Sequence, residues 1–199
     1  MAVSCEEMVV GHHRTPVAGP ITVTVGRGLV CGLIGPSGSG KTTLLRTLAG
    51  LQQPVSGTVH RSGPVGVLAQ HPRQVANPRW TLRKIIGEPA RIACRRADVD
   101  GAADTAGLDR ALLERFPGQV SDGQLQRACV ARLLVQNPPI VLCDEPIAML
   151  DPLAGRVVIE ALEALSAAGA AVVLASHHQQ MVVRRADFVV DLGVAASCR

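Results

Sequence analysis

The chain has 199 residues, 47% of them hydrophobic, which fits one domain with its own buried core. Its formal charge of +4 comes almost wholly from arginine, since Lys41 and Lys84 are the only lysines; the arginines are scattered, Tyr is absent, and there are two Phe and one Trp. Without clustered cations or stacking aromatics the composition argues against a nucleic-acid surface, and no apolar stretch reaches the about 18 residues of a membrane-spanning helix.

Residues 1–10 lack a basic segment followed by an apolar core, so no secretory signal is expected. The six cysteines (Cys5, Cys31, Cys94, Cys129, Cys143, Cys198) show no CxxC spacing, and Cys31 and Cys143 lie inside apolar runs. Reduced thiols in a cytoplasmic protein are the expectation. Residues 21–25 alternate as a half-exposed strand and residues 30–34 read as a buried one, followed at once by a glycine-rich loop. From Lys41 the leucines at 44, 45 and 48 share a helical face, and Gly50 is placed to stop that helix. Short strands are predicted at 57–60 and 65–69. From His71 to Asn137 the pattern changes to Pro/Asn breaks and Arg- and Ala-rich helical segments without a convincing strand, which reads as a helical insert. Beyond it come a strand at 139–143, an amphipathic helix at 153–165, a strand at 171–175 and a last strand at 188–192. Strand and helix alternate on both sides of the insert, so a parallel sheet covered by helices is expected. The expected organisation is a single domain over 1–199, with an α/β core at 1–70 and 138–199 and a helical subdomain at 71–137.

The loop Gly35-Pro36-Ser37-Gly38-Ser39-Gly40-Lys41-Thr42 satisfies G-x-x-x-x-G-K-[ST] between a buried strand and a helix, the context that gives the pattern meaning. Glycines let backbone N–H groups turn inward around phosphate oxygens, and the helix amino end adds a favourable dipole. Lys41 brings a point charge for the β- and γ-phosphates and Thr42 a hydroxyl for Mg²⁺. The expected nucleotide-binding set therefore runs through Gly35, Pro36, Ser37, Gly38, Ser39, Gly40, Lys41, Thr42 and Thr43.

Asp144 and Glu145 end the apolar strand, where both side chains emerge at the carboxyl edge of a parallel sheet beside the phosphate loop. Asp144 is expected to hold Mg²⁺ and Glu145 to polarise an attacking water. Ser121-Asp122-Gly123-Gln124 precedes Leu125, Cys129, Arg132 and Leu133, an i, i+4, i+7, i+8 series, so Ser121 sits at a helix N-cap. A helix amino end with a hydroxyl and a glycine suits a second phosphate. Because Gly35–Thr42 is already a complete cradle, this second anion site makes most sense facing the cradle of a partner subunit.

These residues together resemble the ATP-binding subunit of an ABC transporter. The matching features, in order, are the phosphate loop, Gln70 at its strand end, Val120-Ser121-Asp122-Gly123-Gln124 as signature, residues 140–145, Ala148-Met149-Leu150-Asp151, and Ser176-His177. The resemblance implies an α/β P-loop NTPase (RecA-like) core with a mainly parallel sheet, an antiparallel β edge and an inserted α-helical subdomain. It implies ATP and Mg²⁺ as cofactors, with metal contacts from Thr42, Gln70 and Asp144. It also implies catalysis by Glu145, His177, Gln70 and Lys41, with nucleotide contacts from Ser121, Gly123, Gln124 and Asp151. The implied partners are a second ATPase subunit, identical or not, and integral membrane permease subunits, with the chain peripheral on the cytoplasmic face of the cell membrane. Residues 70–82, with Asn77-Pro78-Arg79, and Ile86-Gly87-Glu88-Pro89 are similar to a permease-facing segment of oligopeptide, dipeptide and nickel importers. Trp80 is there either a permease contact or a residue packed within the insert.

Three departures stand out. Asp122 replaces the first glycine of the usual Ser-Gly-Gly-Gln, so its carboxylate either repels ATP or points away and favours the helix amino end; variants of this kind in the family favour the second reading. The aromatic that stacks on adenine is missing, with His12 or His13 near its place. The chain also ends soon after Leu192, without the extension common in peptide-importer ATPases. The leading expectation is an ATPase powering import of peptides or nickel-like substrates. The rivals are a soluble ABC ATPase without a permease and a catalytically weak regulatory subunit.

Overall fold

A computed structural model describes residues 1–12, 15–148 and 150–195. His13, Met149 and Cys198 lie outside the described residues. The chain forms two compact units: residues 1–67, 138–145 and 166–199, and residues 68–137 with 146–165.

The first unit is built on two sheets. Strands β1 (Val3–His12), β2 (Thr15–Val25) and β4 (Ser56–Arg61) form an antiparallel sheet in the order β2-β1-β4. In β2 the alternation is plain, with Ile21, Val23 and Val25 buried and Thr22 and Thr24 exposed between them. The parallel sheet contains β3 (Val30–Ile34), β5 (Val65–Leu68), β6 (Ile140–Asp144), β7 (Ala171–Ala175) and β8 (Phe188–Asp191), in the order β5-β6-β7-β3-β8. The pairs β6/β7, β7/β3 and β3/β8 all run parallel. Every residue of β6 and β7 is buried, as a strand covered on both faces requires, so these two read as continuous apolar runs rather than alternating ones.

Helix α1 (Lys41–Ala49) touches both sheets. Its Leu44, Leu45 and Leu48 share one core with Met8, Val10 and Val23 from the antiparallel sheet and Leu33, Leu142 and Val173 from the parallel one. The helix stops at Gly50, whose left-handed backbone returns its N–H to Arg46 and Thr47, and the Arg61 guanidinium donates to the carbonyls of Thr47 and Leu48 at 2.7 and 2.5 Å. Helix α7 (Gln179–Arg185) lies so close on β3 that a Cβ on Gly32 would stand 2.4 Å from Val182 Cγ1. Only glycine permits that approach. A short α8 (Leu192–Ala195) follows β8.

The second unit is helical, with α2 (Pro72–Val75), α3 (Leu82–Ile92), α4 (Val99–Thr105), α5 (Asp122–Gln136) and most of α6 (Pro152–Ala167). Thr81 caps α3, and α3 and α4 pack on α5. The buried residues of α3, Leu82, Ile85, Ile86 and Ala90, follow helical spacing, while α5 buries Leu125, Ala128, Ala131 and Leu133. Arg132 of α5 pairs with Glu88 of α3 at 2.9 Å. Left-handed Asn137 ends α5.

One expectation is revised. No strand was expected at 3–12, because its buried positions 3, 5, 8 and 10 slip by one across Glu6-Glu7, where the ladder changes register and Glu7 takes φ 47°. A bulge of this kind breaks the period-two pattern by which strands are read. The expected antiparallel strands are present as the three-stranded sheet β2-β1-β4. The thiols of Cys5, Cys31, Cys129 and Cys143 are shifted up by burial, Cys31 to about 12 and Cys129 to about 11, and exposed Cys94 is free.

The packing sets a hierarchy of stabilities in the second unit. Leu125→Ala, at a fully buried position, is expected to lower the unfolding free energy by about 2–5 kcal/mol. Arg83→Met removes half-exposed ion pairs to Asp100 and Glu114 and is expected to cost no more than about 1 kcal/mol. Urea denaturation followed by circular dichroism measures both; equal losses would contradict the assignment of stability to the apolar face.

Candidate functional site

The phosphate loop leaves β3 at Ile34 and enters α1 at Lys41. Gly35, Gly38 and Gly40 take φ of 143°, 80° and 94°, in the region side chains rarely adopt. At Gly35 space is limiting as well, for a Cβ there would stand 2.7 Å from Ser39 Oγ. That Ser39 hydroxyl is buried and has no hydrogen-bond partner. A buried hydroxyl without a partner is costly, and an arriving phosphate oxygen would accept from it. Pro36 and Ser37 form the exposed rim of the loop. Lys41 Nζ donates to the carbonyls of Gly35 and Pro36 at 2.8 and 3.0 Å, which holds the ammonium over the loop.

Thr42, at the second position of α1, donates its hydroxyl to the Asp144 carboxylate. Asp144 is pushed above the usual carboxylate range, chiefly by burial and further by neighbouring Glu145; the Thr42 hydrogen bond, Lys41 and Arg46 oppose the shift. A hydroxyl and a partly desolvated carboxylate side by side are the hard oxygen donors that Mg²⁺ prefers, so these residues fit the ion. Thr43 is turned inward, with its hydroxyl 3.4 Å from His12 Nε2. His12 itself is exposed, which places its ring at the border of the loop helix.

Glu145 is held through both its backbone and its side chain. Its backbone takes φ 48°, unusual for a residue with a side chain, and its N–H donates to Ala175 at 2.9 Å. Its carboxylate is buried and accepts from the Ser176 hydroxyl at 2.9 Å, the His177 backbone N–H at 2.7 Å and His177 Nδ1 at 2.8 Å. A carboxylate can only accept, so this contact places the proton on Nδ1 of His177. The His177 side chain is 58% exposed, which leaves its other ring nitrogen open to a ligand.

The remaining candidates belong to the second unit. Gln70 follows β5 and is half-buried. Ser121 caps α5 in a reciprocal box: its Oγ accepts from the Gln124 N–H at 3.1 Å, while Gln124 Oε1 accepts from the Ser121 N–H at 2.9 Å. That bond uses Ser121 as acceptor, and the hydroxyl proton stays available to donate. Asp122 and Gly123 occupy the first two helical positions. Asp151 caps α6, its Oδ1 accepting from the N–H groups of Leu153 and Ala154 at 3.1 and 3.0 Å, and these bonds, that of Ala154 first, hold its pKa below the usual value. Trp80 is half-buried under the Arg91 guanidinium, 5.1 Å from the ring centre.

The structure thus brings the phosphate loop, Asp144, Glu145 and His177 together in one unit and places Gln70, Ser121, Gly123, Gln124 and Asp151 in the other. Residues 18–148 match the family model described as ABC transporter.

The chain belongs to the ABC transporter family.

Among its relatives, the energy-coupling factor transporter ATP-binding protein EcfA2 of Leuconostoc mesenteroides is 31% identical, over 91% of this chain and 72% of the relative. The nickel import ATP-binding protein NikE of Rhodospirillum rubrum is 34% identical, over 86% of this chain and 70% of the relative. The dimeric ATP-binding cassette MJ0796 bound to ADP and Pi superposes with a TM-score of 0.86 at 23% identity, covering 96% of this chain and 95% of that one. At that identity the likeness is one of fold.

In this ABC ATPase the contacts of three residues beside the candidate site residues went unread in the sequence. Ser176 was legible as part of a motif but not as a donor to Glu145. Gln126 is buried in α5 and its amide donates to the carbonyls of Pro146 and Ala69 at 3.2 and 3.5 Å, joining the segments that flank Gln70 and follow Glu145. A polar residue on the apolar face of a helix was the available signal. Arg73 binds Asp122, and nothing in its local sequence announces that partner.

The burial of Asp144 generates a test. A neutral isostere removes the cost of an ionised carboxylate in a desolvated place, so Asp144→Asn is expected to raise the melting temperature of the nucleotide-free chain. The same variant should lose the added stabilisation by ATP with Mg²⁺, which for a bound ligand at a hundred times its Kd is about 2.7 kcal/mol. Thermal melts with and without ATP and Mg²⁺ read both effects; a variant that melts lower and still responds fully to the ligand would refute this account of Asp144.

Proposed function

We propose that this chain is the ATP-hydrolysing subunit that energises an ABC importer, working as one of a pair of ATPase subunits. The observation that carries the reading is the Glu145 carboxylate, buried beside Asp144 in the same unit as the phosphate loop and clasped by Ser176 and His177. The loop residues Gly35 to Thr43 bind the phosphates of ATP, with Lys41 leaving the loop carbonyls for the β- and γ-phosphate oxygens. Thr42 and Asp144 would hold Mg²⁺, which would supply charge neutralisation for the phosphates. Glu145 orients and polarises the attacking water, and His177 offers its free ring nitrogen to the γ-phosphate. Ser121, Gly123 and Gln124 present a hydroxyl and a helix amino end to the ATP held by the partner subunit, with Asp151 in the segment that links the two sites. His12, with its ring by Thr43, borders the loop where an imidazole can stack on adenine.

Import is supported by the kinds of relatives the chain resembles, a nickel import protein among them. For the substrate we favour the peptide and nickel class, on the segment from Gln70 to Leu82 and on Glu88-Pro89. The relatives themselves range from nickel import to an energy-coupling factor transporter. No helix among the described residues is long and apolar enough to cross a membrane; that the chain docks as a peripheral subunit on membrane permeases is part of the proposal. A soluble ABC ATPase and a weak regulatory subunit are the rivals, and affinity capture of the full chain from detergent-solubilised membranes separates them. Recovery with permease subunits and an ATPase rate that depends on them supports transport; recovery alone from a complete extract supports a soluble ATPase, and a permease complex without turnover supports a regulator.

The catalytic assignment has its own test. Glu145→Gln keeps the size and hydrogen-bonding shape of the side chain but not its basicity. It is expected to bind ATP with near-normal affinity, to lower turnover at least about a hundredfold, and to accumulate an ATP-bound pair of subunits resolved by size-exclusion chromatography. Normal turnover by this variant would remove Glu145 from its role.

A further inference from the structure

The signature segment of this chain carries a negative charge at Asp122, directly after the hydroxyl proposed to meet a partner's ATP. A carboxylate there works against an arriving triphosphate, yet the structure does not leave it unpaired. Arg73, in α2 and three residues after Gln70, donates from Nε to Asp122 Oδ1 at 2.5 Å. Its two other nitrogens donate to the backbone carbonyls of Pro117 and Val120 at 2.8 and 2.9 Å. Pro117 opens the 3-10 turn Pro117–Gln119, and Val120 is the residue before the Ser121 cap. One guanidinium therefore grips the turn into the signature, the residue before the cap and the first side chain after it.

This geometry requires arginine. Three donors of a planar fork reach three acceptors in different directions, which a lysine ammonium on a single stem does not reproduce. Both side chains of the pair are close to half exposed, 46% for Arg73 and 47% for Asp122. At that exposure a pair adds little to stability. Its consequence is local: the charge nearest the anion-binding end of α5 is balanced within the chain, and the carboxylate is drawn toward Arg73.

We propose that Arg73 is a positioning residue of the signature half-site, which neutralises and holds aside Asp122 so that Ser121 and Gly123 can receive the phosphates of a partner-bound ATP. The inference rests on the reading that Ser121, Gly123 and Gln124 face that nucleotide. It explains how the chain accommodates an acidic residue where the family usually has glycine, and it gives the residues after Gln70 a task beyond contact with a permease.

A double-mutant cycle in the complex captured from membranes tests it, with ATP as the probe and KM and kcat as separate readouts. Arg73→Ala leaves Asp122 uncompensated and is expected to raise the KM for ATP about three- to tenfold, with a smaller change in kcat. The ratio of KM between Arg73→Ala/Asp122→Asn and Asp122→Asn alone is expected to fall below about twofold, because the charge to be compensated is gone. The Arg73→Ala defect should also shrink as salt is raised from low to about 0.3 M, where exposed charges are screened over a few ångströms. If the defect persists unchanged when Asp122 is Asn, Arg73 acts only through the Pro117 and Val120 carbonyls and the proposal is overturned; an Arg73→Ala protein with unaltered KM overturns it equally. Melting curves of all four proteins without nucleotide show whether a loss comes from unfolding, and an Arg73→Ala protein that melts normally yet has raised KM supports the electrostatic role. Ser121→Ala in the same complex keeps the two levels apart. If it leaves turnover untouched, the shared-site reading falls; if it impairs turnover while the cycle shows no coupling, only the role of Arg73 falls.

Discussion

The register of β7 between its two neighbours is the constraint on which the site in the first unit depends. Ala175 stands opposite Asp144 on one side and opposite Leu33 on the other. The phosphate loop begins two residues after Leu33 and Glu145 follows Asp144, so a single position on the central strand levels both at the same edge of the sheet. The ladder runs one step further, with the Glu145 N–H on the Ala175 carbonyl, and the next two residues of the β7 strand exit, Ser176 and His177, then meet the Glu145 carboxylate. A slip of one residue would send each strand's side chains to opposite faces and separate the carboxylate from all three donors. The positive φ of Glu145 costs about 1–3 kcal/mol, and hydrogen bonds to a charged group, worth about 1.5–3 kcal/mol each, are enough to hold it.

What could be read from the amino acids follows from which interactions are local. The phosphate loop was legible because glycine spacing, a buried strand and a leucine-faced helix all lie within 20 residues of one another. Ser121 was legible as a cap because a helical i, i+4, i+7, i+8 series begins just after it at Leu125, and Asp144 because a carboxylate at the end of an apolar run is conspicuous. The β1 strand escaped notice because its bulge breaks the alternation, and the start of β2 because the contiguous period-two pattern begins only at Ile21. The clasp on Glu145 could not be read, since it joins residues about thirty apart through a strand pairing that no local pattern encodes. The same holds for Arg73 and Asp122, 49 positions apart.

Polar groups set the positions of segments that apolar packing alone would leave loose. In the second unit Gln126 is buried with its amide on two carbonyls, one just before Gln70 and one just after Glu145. An unbranched apolar side chain would fill the same space but leave both carbonyls without that donor, a penalty of about 1–3 kcal/mol for each group deprived of a partner. Arg73 acts likewise on the approach to the signature. Both residues link α5 to the stretch around Gln70 inside one compact unit, so the cap at Ser121 and the segment beside Gln70 are held as one body rather than as independent loops.

The two units treat a carboxylate at a proposed anion site in opposite ways, and the difference bears on where ligand binding would draw its energy. Asp144 is buried, its pKa raised by that burial, and its partners in the chain are a neutral hydroxyl and more distant cations. Its charge is left incompletely compensated within the chain, so on the proposed reading a cation arriving with nucleotide would supply that compensation. Asp122 is half exposed and already paired by a guanidinium of its own chain. A ligand gains nothing there by supplying charge and loses least when the pair stays intact. On the proposed reading, attraction in the first unit and avoided repulsion in the second are separate electrostatic tasks, and only the first demands a carboxylate; the second would be met by glycine in the usual family signature and by an acidic residue with its arginine in this chain.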